Sequence, residues 1–154
     1  MLRKFLIIIA VITSVFSCTY DSLEDRSNNS GLIIKTGTVC GWCTVNDTLT
    51  ITQNLIRYVN YTNCGTTKPS VTKTGQIESS ELEDLLAKLN VSELKKLELN
   101  SSNVSFDGCD DWISFMDGTD SHYIRFTRND PKLQPIQAFV EQLNSIKVKY
   151  TSES

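Results

Sequence analysis

The sequence predicts an α+β fold: an antiparallel sheet of about five strands with two helices packed on one face. Three observations predict it. Short stretches such as Thr48–Thr52 alternate apolar and polar residues with a period of two. Two longer stretches repeat apolar residues at helical spacing. Each helical stretch has a single apolar stripe, so one face of one sheet covers both.

Taken in order, Leu32 to Val39 contains β-branched residues without helical spacing and reads as the first strand. Thr48 to Thr52 puts Leu49 and Ile51 on one face and threonines on the other. Gln53-Asn54 turns the chain, since Asn tolerates the left-handed region, and Leu55 to Tyr61 returns as the hairpin partner. Thr62 to Gly75 is polar, with Gly65 and Pro69, and reads as a long loop with a short strand around Val71 at most. Ser80-Glu81-Leu82-Glu83 has the form of a capping box, and Leu82, Leu85, Leu86 and Leu89 follow on one helical face. Asn90 interrupts, and Ser92 to Leu97 is a further short helical turn. Ser101 to Asp111 is polar and acidic, with Val104 and Phe106 suggesting a strand.

Trp112–Met116 and His122–Thr127 flank Asp117-Gly118-Thr119-Asp120 as a second hairpin, with Ile113 and Phe115 on one face and Ile124 and Phe126 likewise. Asn129-Asp130-Pro131 stops that strand. Leu133, Ile136, Phe139, Val140 and Leu143 mark the second helix, with Pro135 tolerated in its first turn. The domain therefore spans 32–147, with 148–154 a frayed tail.

The whole chain has 154 residues, 40% of them hydrophobic and 21% charged, which is a globular composition of one-domain length. A net charge of -3 argues against nucleic acid, which needs clustered Lys and Arg.

The N-terminus carries an address. Arg3 and Lys4 precede an apolar run from Phe5 to Phe16. That run is shorter than the roughly 20 residues that cross a bilayer and has the length of a signal-peptide core. Val15-Phe16-Ser17-Cys18 resembles a bacterial lipobox, so residues 1–17 read as a lipoprotein signal peptide and Cys18 as the acylated residue. Two or three acyl chains there give stable anchoring, at about 0.8 kcal/mol per buried methylene. Removing residues 1–17 takes away Arg3 and Lys4 and no acid, leaving 13 bases against 18 acids. Residues 18–31 are polar and read as a flexible tether. Asp21-Ser22-Leu23 and Asp47-Thr48-Leu49 fit an O-glycosylation triplet known from Bacteroidota, with Ser22 and Thr48 as acceptors. Six Asn-x-Ser/Thr triplets, starting at Asn28, Asn46, Asn60, Asn90, Asn100 and Asn103, would matter only in a eukaryotic secreted protein.

Cys40-Gly41-Trp42-Cys43, then DTLTIT, a leucine-rich helix, Gly108-Cys109-Asp110-Asp111, WISF and HYIRF together resemble small uncharacterised lipoproteins of Bacteroidota, over most of residues 32–146. The resemblance implies a cell-envelope location, anchored to the outer membrane, and implies no chemistry.

With Cys18 acylated, four cysteines remain: Cys40, Cys43, Cys64 and Cys109. Outside the cytoplasm an even number pairs, and three pairings are open. Those that join Cys40 and Cys43 to the distant Cys64 and Cys109 close long loops and stabilise most. A Cys-x-x-Cys serving thiol–disulfide exchange wants a helix directly after it. Here Thr44–Asp47 leads into a strand. Zinc wants two close cysteine pairs, and only one exists. Asp107, Asp110, Asp111, Asp117 and Asp120 lack calcium-loop spacing. His122 stands alone, without a nucleophile motif, and no phosphate-binding loop occurs. Neither a catalytic set, a metal nor a cofactor is expected. Trp42, Trp112, Tyr58, Tyr61 and Tyr123 are core or sheet-face aromatics or, alternatively, a partner surface. The expectation is a lipid-anchored, non-enzymatic envelope module binding a protein or glycan. The alternatives are an oxidoreductase using Cys40 and Cys43, or an inhibitor of an extracellular hydrolase.

Overall fold

The computed structural model describes residues 31–61 and 68–152. The segment expected to be a signal peptide, Cys18, Ser22 and Cys64 lie outside them, as does the side chain of Cys43. The fold is α+β, as the periodicity predicts, with one antiparallel sheet and helices on one face. Its strands are β1 (Ile33–Cys40), β2 (Asp47–Ile51), β3 (Ile56–Asn60), β4 (Val71–Gly75), β5 (Cys109–Asp117) and β6 (Asp120–Phe126). Their spatial order is β4-β3-β2-β1-β5-β6. The helices are α1 (Ser79–Lys88), α2 (Val91–Lys96) and α3 (Gln137–Ser152). Among the described residues, no helix is long and apolar enough to cross a membrane.

One parity of β1, β2, β3, β5 and β6 faces the helices. Ile34, Leu49, Ile51, Ile56, Ile113, Phe115, Ile124 and Phe126 are buried there against Leu85, Phe139, Leu143 and Ile146. Burying each such side chain contributes roughly 1.5–3 kcal/mol. α1 and α3 run antiparallel: Lys149 near the end of α3 pairs with Glu81 near the start of α1, and Lys88 donates to Gln142 at 3.0 Å. The β5–β6 turn is Gly118-Thr119, where Gly118 supplies a φ of +58° that suits a primed hairpin turn.

The structure corrects several expectations. Val71–Gly75 is a full strand, the sixth, paired along its length with β3. The Ser80 capping box does not form. The helix begins at Ser79 with Glu78 as its cap, because buried Ile77 and Leu82 join the core on either side of that start. Asn54 turns the β2–β3 hairpin without a positive φ. Val104 and Phe106 lie in a 3₁₀ turn, Asn103–Phe106, rather than a strand. Leu133–Ile136 is also 3₁₀, with Pro131 at its start. Helix α3 does not fray at 148 but runs to Ser152, held by the Tyr150 hydroxyl donating to the Gln76 carbonyl at 2.9 Å.

Candidate functional site

The far end of β1, where the strand runs into Cys40, gathers the unusual chemistry of the molecule. Thr36 pairs with Leu49 and Val39 bridges to Asn46, yet between them the β1–β2 ladder opens. The Asp47 side chain fills the opening by accepting the Thr38 backbone N–H at 2.8 Å. The same bend brings the Asp47 carbonyl oxygen to 2.1 Å, and Trp112 to 2.7 Å, from where a β-carbon on Gly37 would sit. Glycine is required by that close approach.

Asp47 starts a chain of charged and polar groups on the helix-facing side. Lys147 of α3 donates to Asp47 Oδ1 at 2.6 Å and to Thr38 Oγ1 at 2.8 Å. Thr38 Oγ1 in turn donates to Asp111 Oδ1 at 2.6 Å. Arg128 grips Asp111 through Nε at 3.0 Å and Nη2 at 3.3 Å. Tyr58 donates to Asp47 Oδ2 at 3.4 Å. Two carboxylates and two cations balance, as buried charges must. The hydrogen bond and charge of Asp111 push the Arg128 guanidinium further up from a value at which arginine is already charged. Burial, with the negative charge of Asp47, pushes the Tyr58 hydroxyl up despite the Asn60 hydrogen bond.

This network lines a cleft of about 1050 Å³ between the sheet end and α3. Val45, Pro131, Val148 and the cysteine pair give it apolar surface, and Thr127, Asn129 and Asn144 give it polar surface. The side chain of Arg128 is 68% exposed, so the network reaches solvent through it. A polar ligand of modest size fits such a space, met by a fixed guanidinium and amide groups.

Cys40 and Cys109 face each other across β1 and β5 and form a disulfide, one of the long-range pairings expected. Redox use of Cys40 with Cys43 would first have to release Cys40 from Cys109. The bond ties together two loops. Gly41 N–H donates to the Gly108 carbonyl at 2.9 Å, and a β-carbon on Gly41 would meet Asp107 at 2.7 Å. From these clamped loops Trp42 (86% exposed) and Phe106 (82%) project into solvent. Trp42 has φ 52° and ψ 12°, and Asp107 has φ 60°. Left-handed backbone at a non-glycine residue costs roughly 1–2 kcal/mol.

The five acids of the notional cluster do not converge. Asp110, fully buried on the opposite face, accepts Ser101 Oγ at 2.6 Å and Arg125 Nε at 3.1 Å. Burial alone would raise its carboxyl, but Ser101, the Val104 and Asn103 N–H groups and Arg125 hold it below the usual range. Asp111 belongs to the cleft, while Asp117 and Asp120 pair at the other end of β5, where Asp120 meets Lys95. Among the described residues, no group of three or more His, Cys, Asp and Glu can hold a metal.

His122 shares the parity of Ile124 and bonds through Nε2 to the Leu97 carbonyl at 3.0 Å. Thr48 is half-buried on β2, opposite Val59. Of the aromatics, Tyr58 is core, Tyr61 is half-buried, Trp112 stacks on Tyr123 on the open sheet face, and Trp42 is free of the core. Sequence reading missed Thr38, Arg128 and Lys147, and took Asp47 only as part of a glycosylation triplet. In comparisons with known proteins, no family model and no curated protein matches the chain.

Proposed function

We propose that this protein is a lipid-anchored, non-enzymatic binding module of the bacterial cell envelope. It is held to the outer membrane through Cys18. The reading rests on the lipobox at Ser17-Cys18. It is supported by the placement of the body relative to where its chain begins. Gly31, the first described residue, lies against Gly118 at the β5–β6 turn. The cleft and the clamped loops stand at the opposite end of β1, a strand of eight residues and about 25 Å. A tether joined at residue 31 thus meets the body at the end opposite the cleft, which it leaves uncovered.

Metabolic labelling with an alkyne analogue of palmitate tests anchorage. The wild-type protein takes up label and sediments with membranes. Cys18→Ala takes up none and appears in the soluble fraction. A wild-type chain that is soluble and unlabelled overturns the reading.

A further inference from the structure

We infer that the two clamped loops form a protein-docking tip, with Trp42 and Phe106 as anchors for a partner protein carrying an apolar pocket rimmed by cations. The inference rests on the reading of the body as a binding module, and its test is separate from the test of anchorage.

Four observations carry it. First, the two most exposed large apolar side chains of the described structure are Trp42 and Phe106, and they stand on adjoining loops. Folding leaves both outside the core, and an indole left in water is a common centre of interface energy. Second, the platform is pre-organised. The Cys40–Cys109 bond and the Gly41–Gly108 hydrogen bond fix the loops together, so little ordering remains to be done on binding. Third, the backbone at Trp42 is left-handed, a conformation that glycine adopts without cost. A residue with no packing role would be expected to be glycine there. Tryptophan stands where it strains the chain and is 86% exposed.

The fourth observation is charge, and it selects the occupant. Neither residues 40–47 nor residues 101–111 contain a Lys or Arg, and Asp107 lies between the two anchors in the fold. An anionic lipid surface draws on basic residues among the aromatics; neither loop carries one, and the arginines nearest to them, Arg125 and Arg128, are paired to Asp110 and Asp111. The chain also joins the body at the other end of β1, so the tether to the proposed anchor starts opposite the tip. A second copy docked tip to tip would set Asp107 against Asp107 and bury two side chains per partner, far short of the roughly 1,200 Å² of a stable interface. A protein pocket with a cationic rim fits both the indole and the carboxylate.

Site-specific photocrosslinking in intact cells tests this on the full chain, with benzoylphenylalanine at position 42, 106 or, as a control on the open sheet face, 123. The expected result is one and the same protein captured from 42 and 106 and absent from 123. Its purified form then binds Trp42→Gly and Phe106→Ser at least ten-fold more weakly than wild type. Trp42→Gly keeps the Tm within about 3 °C, because relief of the left-handed strain offsets the added chain entropy. Capture of lipid, of a second copy, of the same product at 123, or of nothing overturns the tip. So does unweakened binding by Trp42→Gly. Palmitate labelling of Cys18 reports anchorage in the same cells. Loss of the crosslinks with labelling intact therefore counts against the tip alone.

Discussion

Asp110 illustrates how a single residue couples burial to solution conditions. Its carboxylate is out of solvent yet accepts from a hydroxyl, two backbone N–H groups and a guanidinium. Its folded carboxyl therefore binds a proton less readily than the unfolded one, whose pKa is about 3.9. By linkage, the resulting stability is present above that unfolded value and is lost as pH falls through the folded one. Asp110→Asn should accordingly be less stable than wild type at pH 7 and approach it below about pH 4. Urea midpoints across that range check this, and a gap that stays constant with pH contradicts it. At this scale the cleft was partly legible. Asp47 and Thr38 occupy the same strand parity as Leu49 and Ile34, and Lys147 lies seven residues after Val140 on the apolar stripe of α3. A charge on an apolar parity is a sign of a buried pair. Its partner, 100 residues away along the chain, leaves no local trace.

The strands β1, β2 and β3 and the leucine face of α1 were legible to within a residue or two, and the β5–β6 hairpin in its apolar core alone, since β5 starts three residues earlier, at Cys109, in a stretch that reads as polar and acidic. The misreadings share a cause, which is that long-range contacts outweigh local signals. Strand β4 is largely exposed and polar, so its own sequence marks no more than a short strand around Val71, and pairing with β3 fixes it through Gly75. The segment around Val104 and Phe106 curls because the Asp110 carboxylate accepts its N–H groups, at 3.3 Å from Asn103 and 3.4 Å from Val104. Gly37 is the element-scale case where sequence was silent and structure is decisive. Gly37→Ala should destabilise the protein by about 3 kcal/mol, since the β1–β2 opening cannot admit a methyl group. The measurement is a urea titration followed by Trp fluorescence, which also reports Trp112. An unchanged midpoint would mean that β2 retreats freely.

Across the whole molecule, the Cys40–Cys109 bond joins positions 69 residues apart, on two neighbouring inner strands of the sheet, β1 and β5. Cys40→Ser with Cys109→Ser should lose about 4 kcal/mol, the chain-entropy value for a loop of that length. Equilibrium unfolding of the double variant measures it, and a loss below 1 kcal/mol would mean that the strands hold the loop closed unaided. The same long-range character governs α3. Its last two turns supply Lys147 to Asp47, Lys149 to Glu81 and Tyr150 to Gln76. The buried acid of β2, hydrogen-bonded by Thr38 and Tyr58 within the sheet, thus gains its cation only when α3 docks. The cleft end of the sheet is therefore sealed by the docking of one late helix, and the sheet alone holds an acid in search of its counter-charge.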